Sequence, residues 1–174
     1  MLKLVGIRTR RPSRDLKAAS IMVLVTGDSS DDRVIELACE LLDSGTGTLY
    51  VLYVIEVERA FPVDAEIAPA IAKGEDVLEH VEEVARKHKC DPDAELVQAR
   101  HAGSALVQEA ADKNVGKIVV GCPLEEKFGS FSLGDTIPYV LKNAPCSVIV
   151  WRDPIDRPDN ESDRVGLDGE RRSR

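Results

Sequence analysis

The feature that most restricts the fold is a series of short, apolar segments separated by segments with helical periodicity. Residues 21–25 are apolar at all five positions, and Gly27 follows shortly after. A run this short is typical of a strand buried on both faces. Comparable strands are predicted at residues 48–57, 94–99, 117–120 and 146–151. Strands that alternate with helices in this way predict an α/β fold, a five-stranded parallel open sheet with helices on both faces.

The segments between the predicted strands carry apolar residues at helical spacing. The first helix is expected to begin at Ser30, a favourable N-cap residue, and to end before Gly45. Residues 58–70 contain Pro62 and Pro69 and are predicted to be a loop, either a lid or partner surface or a plain connection. The remaining helices are predicted at residues 75–88, from residue 103 to about 114, and at 136–143.

Composition excludes several classes of protein. The net charge of −8 argues against a general nucleic-acid binder, since phosphate backbones need a basic surface. No apolar run approaches the roughly 20 residues of a membrane span. The cysteines at positions 39, 90, 122 and 146 are far apart and form no CxxC pair. This pattern fits reduced thiols in the cytoplasm better than a disulfide framework or a zinc site.

Three regions are expected from the charge pattern. Residues 1–19 form a basic, poorly ordered arm, residues 20–152 form the folded domain, and residues 153–174 form a charged, disordered tail. We expect no contact with nucleic acid or membrane from the domain.

The segment from Val119 to Thr136 is the strongest candidate for a binding site. A short strand ends at Gly121, and Gly134 precedes the next helix. Ligands of open α/β sheets bind where strands end and helices begin, and helix N-termini favour anions such as phosphate. Alternatively, the two glycines are required only for the turn and for the start of the helix. Cys122 is either a reactive thiol or a small buried residue.

From about residue 20 to residue 152 the chain resembles the universal stress protein family. Three features carry the resemblance: the strand and turn from Val23 to Ser30, the strand Leu49-Tyr50-Val51-Leu52-Tyr53-Val54, and the block from Lys117 through Gly134 to Val150, with its Ala-Pro-Cys step. The resemblance implies a homodimer in which the strands at residues 146–151 pair across a two-fold axis. An uncovered apolar edge strand would otherwise promote aggregation.

The nucleotide-binding branch of that family carries Gly, two residues, Gly, nine residues, Gly, and then Ser or Thr. Gly121 and Gly134 match the first and last glycines, whereas Leu124 and Asp135 replace the second glycine and the Ser or Thr. Leu124 adds a side chain where backbone should approach a phosphate. Asp135 places a carboxylate near the phosphate oxygens, and a bound Mg²⁺ could bridge the two.

Further site residues are implied by the resemblance. Asp28 matches a residue near the ribose and adenine, and Val54 and Val120 match positions that line the adenine pocket. The predicted binding residues for ATP or another adenine nucleotide (ADP or AMP) are Thr26, Gly27, Asp28, Val54, Val120, Gly121, Leu124, Gly134, Asp135 and Thr136.

The sequence contains no recognisable catalytic arrangement. Any ATPase activity that the family implies would be slow. Two interpretations remain: a nucleotide-binding regulatory dimer, or a dimeric interaction module of the same fold that acts through protein partners. Asp28, Gly121 and Gly134 favour the first, and Leu124 and Asp135 favour the second.

Overall fold

A five-stranded parallel sheet lies at the centre of the computed structural model, which describes residues 19–42, 47–122, 126–127 and 130–152. The strands are β1 (Ser20–Val25), β2 (Thr48–Glu56), β3 (Pro92–Ala99), β4 (Lys117–Gly121), β5 (Glu126–Lys127), β6 (Ser130–Phe131) and β7 (Ser147–Trp151). The helices are α1 (Asp31–Leu41), α2 (Ala68–Lys87), α3 (Ala102–Asp112) and α4 (Thr136–Asn143). The large sheet has the order β3-β2-β1-β4-β7, which confirms the predicted fold class.

Strand β1 occupies the middle of the sheet and is buried on both faces. Ile21 pairs with Leu49 of β2 on one side and with Lys117 of β4 on the other. Ile21, Val23 and Val25 pack with α1 and α2, whereas Met22 and Leu24 pack with α3 and α4. Because successive side chains of a strand point to opposite faces, this one apolar run supplies both halves of the core.

The chain crosses from one side of β1 to the other between β3 and β4. Strands β2 and β3 lie on one side of β1, and β4 and β7 lie on the other. Helix α1 packs on one face of the sheet after β1, and α4 packs on the opposite face after β4. Such a switch point leaves a crevice at the carboxyl ends of the two strands.

Helix α2 begins at Ala68, seven residues before the predicted start. Pro69 lies in its first turn, where a missing N–H leaves no hydrogen bond unmade. The sequence interpretation treated this proline as a loop marker, which was wrong. Ala70 and Ile71 of the added turns pack against the α1–α2 side of the core. None of the helices in the described ranges is both long and apolar enough to span a membrane.

The predicted loop after β4 contains a short hairpin, because β5 pairs with β6 in antiparallel fashion. Helix α4 begins and ends where the sequence predicts. Leu124, Gly45, residues 1–18 of the basic arm and the tail at 153–174 lie outside the described residues.

The loop between β2 and α2 is tied to the end of β3. The Arg100 guanidinium donates to the backbone oxygens of Val57, Glu58 and Phe61 at 3.0, 2.5 and 2.9 Å. The Gln98 amide donates to the Ala65 oxygen at 2.7 Å. These bonds fix several backbone carbonyls of the loop, a constraint that the sequence pattern did not reveal.

Candidate functional site

A cavity of about 590 Å³ opens at the carboxyl ends of β1, β2 and β4, beside the N-terminus of α4. Nine of the ten predicted site residues line it, and the tenth, Leu124, lies outside the described residues. The nine are Thr26, Gly27, Asp28, Val54, Val120, Gly121, Gly134, Asp135 and Thr136. The structure thus brings these residues together, and their role in binding stays a prediction.

One wall of the cavity is apolar and crosses three strands. Leu24 of β1 lies beside Val120 of β4 in the sheet register, and Val54 comes from β2 on the other side of β1. All three belong to the α3–α4 side of the core. Small-molecule sites commonly combine such an apolar surface with a few fixed polar groups. This wall can accept a flat aromatic ring.

Asp28 is a polar residue of the cavity lining that hydrogen bonds hold in place. One carboxylate oxygen accepts from the Ser30 N–H at 2.8 Å and the Ser30 hydroxyl at 2.6 Å, and the other accepts from the Thr26 hydroxyl at 2.7 Å. Burial by itself would raise the pKa of Asp28, but these hydrogen bonds outweigh it and lower the pKa below its ordinary value. Asp28 is therefore an oriented, ionised acceptor at neutral pH.

The Ser30 side chain does not cap α1, contrary to the sequence prediction. Ser30 occupies the N-cap position but makes no side-chain cap hydrogen bond. Its hydroxyl donates to Asp28 instead. The helix prediction was correct in position and wrong in this detail, because the Ser30 backbone lies in the helical region and not in the extended region typical of a capping residue.

Asp31 is a site residue that the sequence analysis missed. Its Oδ2 accepts from the backbone N–H groups of Gly27 at 2.7 Å and Thr26 at 3.1 Å, and the residue is only 4% exposed. Burial, with a smaller contribution from the Asp28 charge, raises its pKa from 3.8 to about 6, although the two N–H groups oppose the shift. An acidic residue in a first helical turn is common, so no local pattern distinguishes Asp31 as a site residue.

Two further carboxylates and one ammonium group also line the cavity. Glu56, at the end of β2, accepts from the Ala102 N–H at the start of α3 at 2.6 Å. Asp135 occupies the N-cap position of α4 and makes no side-chain cap hydrogen bond. Among the described residues, Lys73 of α2 is the one basic residue that lines the cavity. Glu56 and Lys73 were not predicted, because neither belongs to a recognisable local motif.

The predicted Mg²⁺ would bridge Asp135 and a bound phosphate. In the part of the chain that the structure describes, no three His, Cys, Asp or Glu side chains are grouped to hold one. Mg²⁺ commonly takes one or two carboxylates together with phosphate oxygens and water. Asp135 fits that limited role.

The two motif glycines meet different structural requirements. A Cβ atom at Gly121 would lie 2.4 Å from the Ser30 hydroxyl oxygen, so any larger residue collides with the start of α1. Gly134 has a φ of +64°, a left-handed conformation that costs other residues energy, and its Cβ position is open. Both glycines are therefore explained without a ligand.

Cys122 lies directly after β4 and is only 3% exposed. Burial raises the pKa of its thiol, although Arg152 partly opposes the shift. A buried thiol with a raised pKa is a poor nucleophile. The environment favours the interpretation of Cys122 as a small buried residue.

The family model described as the universal stress protein family matches residues 18–152. The chain belongs to the universal stress protein family. No curated protein sequence matches it.

Solved structures of this family share the fold. A universal stress protein from Archaeoglobus fulgidus is 19% identical, with a TM-score of 0.65 over 75% of this chain and 96% of that one. An A. fulgidus structure in complex with dAMP is 18% identical, with a TM-score of 0.60 over 75% and 95% of the two chains. An Arabidopsis thaliana family protein with AMP bound is 17% identical, with a TM-score of 0.57 over 83% and 98%.

Replacing Gly121 by alanine should destabilise the ligand-free protein by about 1 to 3 kcal/mol, the range for overpacking. The cause is the contact between the new Cβ and the Ser30 hydroxyl. Urea unfolding should show that the same substitution costs less than half as much in a Ser30→Ala background. An equal cost in both backgrounds would contradict a packing role for Gly121.

Asp31→Asn should gain stability relative to the unsubstituted protein as the pH rises from 4 to 7. The raised pKa means that the folded protein binds the proton more tightly than the unfolded chain. The stability that this carboxyl contributes is complete below pH 4 and is lost as the pH rises through about 6. The loss amounts to about 3 kcal/mol at most. The Asn variant does not undergo this loss, because its side chain does not ionise.

Urea unfolding of both proteins at pH 4, 5, 6 and 7 measures this difference. Asp91→Asn is the matched control, since exposed Asp91 precedes the amino end of edge strand β3, away from the carboxyl ends where the cavity opens. The prediction is wrong if the stability difference between Asp31→Asn and the unsubstituted protein is the same at every pH.

Proposed function

We propose that this universal stress protein binds an adenine nucleotide in the cavity and acts as a homodimeric, cytoplasmic regulator of a stress response. The observation that carries the proposal is the juxtaposition of the apolar wall with the fixed Asp28 carboxylate. The dAMP and AMP complexes of proteins with the same fold support it.

The base would lie against the wall formed by Leu24, Val54 and Val120. One ribose hydroxyl would donate to Asp28. An ionised carboxylate offers about four acceptor sites, and Ser30 and Thr26 occupy three at Asp28. One acceptor therefore remains for a hydroxyl group. The phosphate end would lie toward Gly134 and Thr136 at the N-terminus of α4.

The chemical groups of the cavity support the proposed regulatory role. The lining combines an apolar surface with carboxylates that mostly hold backbone N–H groups, and it offers no paired nucleophile and base among the described residues. Such a site can report whether a ligand is present. Occupancy, rather than turnover, would then be the signal that partners read.

Isothermal titration with AMP and with ATP, each with and without Mg²⁺, tests the binding. Val54→Phe should weaken binding by about tenfold or more, because the larger ring fills the space of the base. Val97→Phe is the matched control, since Val97 pairs with Val54 in the register and packs on the same face but does not line the cavity. The affinity of Val97→Phe for AMP and ATP should stay within about twofold of that of the unsubstituted protein.

Mass spectrometry of molecules released from the freshly purified, denatured protein provides an independent check. Co-purified adenine nucleotide would support the proposal. The proposal fails if no nucleotide is released and millimolar AMP and ATP give no heat of binding. That outcome would favour the interaction module, and partner capture would then be the next experiment.

The homodimer is proposed to form through β7. Both β3 and β7 are edges of the sheet, but β3 carries Asp93 and Glu95, whereas β7 has the sequence Ser-Val-Ile-Val-Trp. Charged edge strands resist pairing, and apolar ones invite it. Val150 is 36% exposed, and Tyr139 and Leu141 of the neighbouring α4 are 43% and 54% exposed. A second copy that pairs along β7 would cover this surface.

Val150→Lys should convert the dimer into a monomer, because it places a charge on the proposed interface. Sedimentation analysis at micromolar concentration should change from twice the chain mass of 19.0 kDa to that mass. Val63→Lys is the control, since Val63 is 41% exposed but lies in the loop after β2. A monomer mass for the unsubstituted protein would overturn the dimer.

A further inference from the structure

Three helix N-termini surround the cavity, and each is associated with a carboxylate of the chain itself. Asp31 accepts the Thr26 and Gly27 N–H groups in the turn that leads into α1. Glu56 accepts the first N–H of α3, from Ala102. Asp135 is the N-cap residue of α4. Carboxylates of the chain therefore already lie beside backbone groups of the kind that attract phosphate in other proteins.

The charges of the cavity lining are strongly unequal. Asp28, Asp31, Glu56 and Asp135 supply four carboxylates, against the single ammonium group of Lys73 among the described lining residues. Lys73, Glu56 and Asp135 are exposed, so water screens their charges. Asp31 is buried, and its charge is screened less. A phosphate entering this cavity meets repulsion, whereas an uncharged base and ribose do not.

We propose that the cavity recognises its ligand through the nucleoside part and discriminates against phosphate charge, with Asp135 as the specificity-determining residue. This inference rests on the proposed binding of an adenine ligand. The preferred ligand is an adenine nucleoside or a nucleotide whose phosphates carry a divalent cation. The free triphosphate is the poorest of the series.

Asp135 determines the discrimination against phosphate for two reasons: its position, and the absence of a cap hydrogen bond from its side chain. It lies between Gly134 and Thr136, where the phosphate end of a nucleotide would meet α4. Asp31 and Glu56 also accept backbone N–H groups, so a substitution there alters hydrogen bonds as well as charge. Asp135 makes no cap hydrogen bond, so its charge can be changed alone.

Titration of the full chain with adenosine, AMP, ADP and ATP at pH 8 in EDTA tests the inference. Affinity should fall along this series, with ATP about tenfold or more weaker than adenosine, as expected for several repulsive charge pairs near a protein surface. Mg²⁺ should restore most of the loss for ATP and leave adenosine unchanged. Raising NaCl from about 20 to about 200 mM should strengthen ATP binding in EDTA, because salt screens repulsion.

The Asp135→Asn variant separates the role of this residue from that of the whole cavity. The substitution should raise the ATP affinity in EDTA by about fivefold, because it removes one repulsive charge pair in water. The adenosine affinity should change by less than about twofold. Asp91→Asn, the same substitution before the amino end of edge strand β3, should leave both affinities unchanged.

The outcomes distinguish this inference from the proposed function. If ATP in EDTA binds as tightly as adenosine or more tightly, or if salt weakens ATP binding, the discrimination is overturned while ligand binding stands. If Asp135→Asn and Asp91→Asn behave alike, Asp135 is not the determinant. If none of the four ligands binds with or without Mg²⁺, the proposed function fails and this inference fails with it.

Discussion

The cavity depends on how the chain leaves its central strand. Strand β1 is buried on both faces, so its backbone groups need hydrogen-bond partners until the chain reaches solvent. The ladders with β2 and β4 provide them within the strand, but the N–H groups of Thr26 and Gly27 lie beyond its end. The Asp31 carboxylate accepts both. That one side chain fixes the turn, the start of α1 and the rim of the cavity together.

The sequence predicts the scaffold well because the scaffold rests on burial. Five apolar residues in succession at the start of the domain require a strand covered on both sides, and the rest of the α/β order follows. Two local features could not be predicted from the burial pattern. Pro69 looks like a loop residue until its place in the first turn of α2 is known. The bonds of Arg100 to the loop after β2 join residues about 40 positions apart, which no local pattern reveals.

The site is only partly predictable, and the glycines show why. Gly121 was predicted from a phosphate-binding motif, yet the structure gives it a packing requirement against Ser30. Gly134 adopts a left-handed backbone conformation at the start of α4. A fold can preserve such glycines whether or not it binds phosphate, so their spacing is weak support for a nucleotide. The apolar wall and the oriented Asp28 are stronger support, because a turn by itself does not require either to line a cavity.

Stability and ligand preference are coupled in this protein because the same carboxylates serve both. Asp31 and Glu56 satisfy backbone N–H groups that would otherwise lack partners, and their charges also face the cavity. A substitution at either position alters both the charge that faces the cavity and a hydrogen bond to the backbone. Asp135 is the position where the coupling is weakest, since its carboxylate caps no N–H group. A single substitution there changes the field that a ligand meets while the framework around β1 stays intact. Among the four carboxylates of the described lining, the one at the N-terminus of α4 is therefore the one whose charge can change with least effect on the backbone.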